Sequence, residues 1–178
     1  PMIKATTTAS DYIVCKNITS FEERVEWNGQ TEEDKKSRFA RLALQNSGDK
    51  IFNFRLIEGR LFREEDWVTN SNTPRNIFNS PILNKIILTQ SAVTAMRIEH
   101  PIGEIIRIPI GIFRKGDLEW HYSDYEIIGV VKDLYSQGMK TEVYPTIISQ
   151  AHNWMQSINY FQVVPGTERN AIKAINEL

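Results

Sequence analysis

With 178 residues, 41% hydrophobic and 24% charged, the chain is long enough for one good core or two small lobes, and its balance is ordinary for a globular protein. A formal net charge of −1 argues against the clustered basic excess of a nucleic-acid footprint. The single cysteine, Cys15, excludes an internal disulfide and a cysteine-based zinc site; within Tyr12-Ile13-Val14-Cys15 it reads as a small buried hydrophobe.

No apolar run approaches the roughly 20 residues of a membrane helix, and no signal peptide is visible. The sequence opens on Pro1-Met2 and stops at Leu178 within a helical pattern, so it reads as an excised domain.

Residues 1–30 read as β-structure. Tyr12 to Cys15 is one strand candidate; Glu22 to Trp27 is a second, ending at the turn signal Asn28-Gly29. Asn17-Ile18-Thr19 matches a glycosylation sequon but reads as a polar strand end. The charge run Glu32-Glu33-Asp34-Lys35-Lys36 nearly cancels and reads as a solvated loop or helical turn. Arg38 to Leu44 alternates polar and apolar, the pattern of a half-buried strand. Ser47 is placed to cap a short helix through about Leu56, with Ile51, Phe52, Phe54 and Leu56 packed on more than one side. Gly59 breaks that pattern and Phe62 tucks back into the core. Residues 68–81, rich in Asn, Ser, Thr and Pro, form a long polar loop with the composition of a mobile excursion.

Lys85 to Leu88 is a short buried strand. Thr89 can cap a helix to about Glu99, with Ala92, Val93 and Met96 on one face, stopped by His100-Pro101-Ile102-Gly103. Residues 104–108 form the next strand, and Gly111 to Trp120 a strand and turn around Lys115-Gly116-Asp117. Tyr125 to Val131 is the most apolar, β-branched run in the chain. It reads as a central strand with a sharp exit at Lys132-Asp133. Glu142 to Ser149 is a strand whose Pro145 belongs at an edge or among the first residues. Ser157 to Val164 is another, and Thr167 caps a final helix whose apolar stripe is Ala171, Ile172, Ala174 and Ile175.

No catalytic constellation is visible. His100, His121 and His152 are dispersed and none has a partner at metal-ligand spacing. There is no Gly-rich phosphate loop and no nucleophile-elbow serine. The carboxylates sit in mixed-charge runs rather than as an acid/base pair. Lys132-Asp133 reads as a structural pair or a turn. The expected site list is therefore empty: no catalytic, cofactor-binding or metal-binding residue, and no cofactor. An enzyme would need His100 or His121 beside Asp133 in one deep pocket. The aromatic surplus of Trp67, Trp120, Trp154, Tyr122, Tyr135, Tyr144 and Tyr160 reads as core filling, with a ligand groove as the alternative.

Ordered motifs add a resemblance. Leu56-Ile57-Glu58-Gly59-Arg60-Leu61-Phe62, Ile86-Ile87-Leu88-Thr89-Gln90-Ser91-Ala92, His100-Pro101-Ile102-Gly103-Glu104-Ile105-Ile106, Tyr125-Glu126-Ile127-Ile128-Gly129-Val130-Val131-Lys132-Asp133 and Glu142-Val143-Tyr144-Pro145-Thr146-Ile147-Ile148 stand in that order. They resemble motifs of the extracytoplasmic core domain of MacB/FtsX-type ABC transporter permeases, over roughly residues 50 to 150. Thr89-Gln90 stands where the family usually has Asn-Glu. Val25-Glu26-Trp27-Asn28-Gly29 is similar to a segment of Bacteroidetes-type members.

The resemblance implies an α+β, two-lobed periplasmic domain of an inner-membrane permease with four membrane helices per subunit. Residues 1–57 and 141–178 would form a porter-like βαβ lobe, and 58–140 an inserted, mainly-β, Sabre-like lobe with short helices. It implies a cytoplasmic ABC ATPase as partner through the membrane helices, a homodimeric or heterodimeric full-length protein, and an isolated domain that is a monomer. A periplasmic adaptor, a lipoprotein or another protein would be the further partner. The implied role is mechanical and non-catalytic: ATP-driven movement is transmitted to a substrate or partner protein in the cell envelope, as in efflux. The alternative is a periplasmic sensor or ligand-binding module for a peptide or antibiotic, with a concave aromatic groove around Trp67 or Trp120.

Overall fold

The computed structural model describes residues 3–9, 21–22, 24–45, 48–66, 84–114, 117–134, 143–150 and 158–177. The expected strand at 12–15 with Cys15, the sequon, Ser47, Trp67, the 68–81 loop, Tyr135, His152 and Trp154 lie outside them.

The elements in chain order are β1 (Ile3–Ala9), β2 (Phe21–Glu22), β3 (Phe39–Leu44), α1 (Gly48–Ile51), β4 (Leu56–Gly59), β5 (Asn84–Thr89), α2 (Gln90–Met96), β6 (Ile105–Arg114), β7 (Asp117–Val131), β8 (Thr146–Gln150), β9 (Ile158–Val163) and α3 (Glu168–Asn176). The class is α+β. One mixed sheet runs β4-β7-β5-β8-β3-β1-β9, with β6 on β7 and β2 on β3. β3 is parallel to β8 and β5 is parallel to β7, whereas β5 meets β8 antiparallel. The 58–140 segment and the chain ends therefore share one hydrogen-bonded sheet, joined where β5 meets β8.

Both faces of that sheet are covered. Ile86, Leu88, Ile106, Tyr125, Ile127, Ile147 and Phe39 point to one side, against Ala92 and Met96 of α2 and against Val25 and Trp27. Ile87, Ile128, Val131, Ile148, Leu42 and Leu44 point to the other, against Phe54 and Phe62. A strand covered on both faces needs apolar residues at every position, not at alternate ones. That is why Ile86-Ile87-Leu88 in β5 and Ile147-Ile148 in β8 are apolar at successive positions. β3 corrects the half-buried expectation for the same reason: all six of its residues are buried, Arg41 included.

Backbone conformation accounts for the other departures. Arg24 sits at φ 66° and breaks the expected 22–27 strand into β2 and a single bridge, Glu26 to Arg107. The expected 47–56 helix is one turn, because Asn53 at φ 50° ends it and Leu56 to Gly59 join the sheet as β4. α2 stops at Met96, three residues before the expected end, with Arg97 in the left-handed region at φ 54°. A left-handed non-glycine residue cannot continue a right-handed helix. The expected 111–120 run is divided: residues 111–114 extend β6, and residues 117–120 join the expected 125–131 strand in one 15-residue strand, β7. Its register against β5 slips between Ile86↔Ile127 and Ile87↔Gly129, so Ile128 and Val131 face the same core. Pro145 precedes β8, and its carbonyl accepts the Ala40 amide at 2.8 Å. In α3, Ala171 is buried, but Ile172, expected in the same apolar stripe, is 60% exposed.

Candidate functional site

The candidate site is the seam at which β5 meets β8. Three cross-strand pairs join them: Ile86↔Ser149, Ile87↔Ile148 and Leu88↔Ile147. At the end of the seam the fully buried Thr89 accepts the Thr146 amide on Oγ1 at 2.9 Å. Thr89 Oγ1 also lies 3.1 Å from Ser91 Oγ, and Thr146 Oγ1 donates to the Tyr144 carbonyl at 2.8 Å.

Thr89 occupies the N-cap position of α2, yet its side chain makes no capping bond. Its hydroxyl is committed across the seam instead. Asp133 supplies the missing acceptor: its Oδ1 takes the Ser91 amide at 2.8 Å. The parallel pairing of β5 and β7 explains why. Both strands end at the same side of the sheet, so the residue two past Val131 reaches the first turn of α2. The exit at Lys132-Asp133 is thus also a helix cap supplied from a distant segment. Asp133→Ala should cost about 1 kcal/mol in urea unfolding, as loss of a capping side chain does, while Lys132→Ala leaves the midpoint nearly unchanged. Equal effects would refute the assignment.

Two further carboxylates staple loops. Asp34 accepts the Thr31 amide at 2.8 Å, the Thr31 hydroxyl at 2.7 Å and the Arg97 guanidinium. Asp66 accepts both Arg60 terminal nitrogens, one of them at 2.9 Å, and the Arg63 amide at 2.7 Å; its carbonyl accepts Gln150 Nε2. Asp34 lies inside the mixed-charge run 32–36 that reads as a solvated loop or helical turn, and Asp66 ends the acidic group Glu64-Glu65-Asp66. The signal was the spacing Thr31-x-x-Asp34 and Arg63-x-x-Asp66, in which a carboxylate reaches back to an amide three residues earlier, half of a capping box.

Burial pushes the Asp66 carboxyl up, but the Arg60 guanidinium and the Arg63 amide outweigh it and hold it below the ordinary 3.8. A depressed carboxylate contributes stability above its unfolded pKa and loses it as pH falls through the folded one. Asp66→Asn should therefore be less stable than the parent at pH 7, and the gap should close below pH 3.8. Urea midpoints measured from pH 7 to pH 2.5 check this; a gap independent of pH would count against it.

β6 and β7 form an antiparallel ribbon with Ile105↔Glu126 at one end and Arg114↔Asp117 at the other. One face is core, with Ile106, Ile108, Ser123 and Tyr125 buried. On the other face Arg107 pairs with Glu26 at 2.8 Å and lies 4.9 Å from the Tyr122 ring centroid. Arg24 lies 5.2 Å from the ring of Trp120, which is 49% exposed.

A depression of about 230 Å³ lies at the carboxyl end of α2, lined by Trp27, Glu99, His100, Glu104 and Ile105 among others. Trp27, one of its lining residues, donates from Nε1 to the Met96 carbonyl at 2.9 Å. Trp120 is not among its lining residues. His100 follows the last turn of α2, whereas Asp133 caps the first, so that pair is not brought together. His121 lies on the ribbon, 3.5 Å from Glu119. Tyr160 is half-buried and packs edge-on against Phe52 at 4.9 Å. Among the described residues no group of three or more His, Cys, Asp or Glu could hold a metal ion, and no helix is long and apolar enough to cross a membrane.

The fold is shared with the extracytoplasmic domains of two ABC-type transporters. The chain is similar to the periplasmic region of MacB from Actinobacillus actinomycetemcomitans, with a TM-score of 0.59 at 14% identity, covering 99% of this chain and 65% of that one. It is also similar to the extracellular domain of the ABC-type transporter YknZ from Gram-positive bacteria, with a TM-score of 0.56 at 11% identity, covering 95% of this chain and 70% of that one. The sequence matches no family model and no curated protein. The chain thus spans about two thirds of the MacB region it resembles.

Proposed function

We propose that the chain is the periplasmic, non-catalytic domain of an ABC transporter permease, which passes ATP-driven movement to a substrate or a partner protein in the cell envelope. The observation that carries this reading is the likeness in fold to two transporter domains along almost the whole chain. The ordered motifs of the sequence support it independently. On this reading the parent protein sits in the inner membrane, pairs with a cytoplasmic ATPase and works as a dimer, while the isolated domain is a monomer. Residues 1–57 and 141–178 form the porter-like lobe and 58–140 the inserted one, and the seam with Thr89, Asp133 and Thr146 is where movement passes between them.

The test uses the parent protein in its own membrane. A cysteine introduced at the exposed Ile172 should react with a membrane-impermeant maleimide in intact spheroplasts, and an ATPase should copurify with the solubilised protein. Protection of that cysteine until the membrane is breached would place the domain on the other side and overturn the reading.

A further inference from the structure

We propose that the edge strand β4 is a docking site at which an extended, acidic segment of a partner protein adds as a further strand. β4 ends the sheet, and β7 is its partner among the described strands. All four of its residues are exposed, with Leu56 at 44% and Ile57 at 47%. Natural sheet edges are usually blunted by lysine, proline or an inward charge, because an open edge templates further pairing. β4 carries no lysine or proline within Leu56-Ile57-Glu58-Gly59. Its register against β7 shifts between Leu56 and Glu58, and its one charge, Glu58, is exposed, so the apolar strip open to a further strand is Leu56-Ile57. Ile102, 39% exposed, reaches over Gly59 and prolongs the apolar strip past the strand's end. The opposite edge, β9, exposes one large apolar side chain among the described residues, Phe161.

Charge selects the occupant. Arg55 and Lys132 flank the start of β4 and are joined by the bond from the Lys132 amide to the Arg55 carbonyl at 2.9 Å. Both are exposed, and neither side chain meets a carboxylate among the described residues. Glu58 lies three residues further on and confines the demand for acid to the Arg55 end. A strand with an acidic residue at that end and apolar side chains along it would satisfy both cations while covering Leu56 and Ile57. A second copy fits poorly. An antiparallel self-pairing with Leu56 opposite Gly59 and Ile57 opposite Glu58 sets Arg55 opposite Arg60, and like charges directly opposite each other destabilise a strand pair. The site is a property of this edge and does not depend on the transport reading.

Two labelled heptapeptides of alternating valine and threonine serve as probes, one with aspartate at an end and one with lysine there, each made in both chain directions. The aspartate peptide should bind about five- to tenfold tighter than the lysine peptide, the range expected of two exposed ion pairs. It should slow hydrogen exchange at residues 56–59. Arg55→Glu/Lys132→Glu, a change confined to exposed side chains, should reverse the preference, and a central proline in the peptide should abolish binding. Equal binding of the two peptides, protection elsewhere in the chain, or no protection at millimolar peptide overturns the proposal. So does protection of β4 in the free chain that grows with protein concentration, which would assign the edge to a second copy.

Discussion

Gly129→Ala should destabilise the domain by about 3 kcal/mol and lower its melting temperature by roughly 6–12 °C. A Cβ at this position would lie 2.2 Å from the Arg60 carbonyl oxygen and 3.1 Å from its carbon. Those are backbone atoms, so no rotamer change relieves the clash; β4 and its continuation must move off β7. The bond from the Arg60 amide to the Ile128 carbonyl, 2.9 Å in the parent, should be the first lost. Gly59→Ala meets the Ile128 carbonyl oxygen at 2.3 Å and adds the strain of φ 72°, so it should cost at least as much. Thermal melting with hydrogen exchange at Arg60 checks both. A variant that melts with the parent would show that the two backbones do not approach this closely.

The second large effect is expected at Phe39. Its ring is fully buried and lies edge-on to Trp27, with centroids 5.8 Å apart at 86°. Phe39→Ala removes that contact and opens a cavity beneath α2, for a loss of about 3–5 kcal/mol. The near-ultraviolet circular dichroism of Trp27 should weaken in parallel. Phe39→Leu should recover part of the loss. Ile172→Ala, at a side chain 60% exposed, should stay within about 0.5 kcal/mol of the parent. A small loss at Phe39 would mean that the Trp27 segment does not close this side of the sheet.

These two sites differ in how they announce themselves in the sequence. Gly129 interrupts the run Ile127-Ile128-Gly129-Val130-Val131, and a glycine inside a strand pattern signals close backbone approach. The strands β5, β8 and the second half of β7 were legible for a related reason, since burial on both faces favours successive apolar residues, as in Ile86-Ile87-Leu88, Ile147-Ile148 and Ile127-Ile128. The turn at Asn28-Gly29 was legible too: the Gln30 amide bonds to the Trp27 carbonyl at 3.3 Å, and Gly29 has φ 79°. What failed was set by long-range packing or by unusual backbone. Nothing about arginine marks positions 24 and 97 as left-handed, yet they cut one strand and one helix. Ile51, Phe52, Phe54 and Leu56 were spread too widely for one helical face, and that was a sign against the 47–56 helix. The bond from Ser91 to Asp133 spans 42 residues and that from Arg97 to Asp34 spans 63, so neither could be read from local spacing.

β7 belongs to two structures at once. From Tyr125 to Val131 it is held by β5 on one edge and by β4 and β6 on the other; from Asp117 to Asp124, β6 is its one strand partner among the described residues. At about 3.3 Å per residue, the seven-residue step from Asp117 to Asp124 spans roughly 23 Å. Tyr125, which pairs with Asn84, is therefore a fulcrum: a sideways load at the ribbon's far end meets lateral support from a further strand there. Tyr125 is 3% exposed, and the Lys85–Glu126 ion pair clamps the adjacent position. A cantilever clamped in this way turns displacement at its tip into torque on the plane of the sheet.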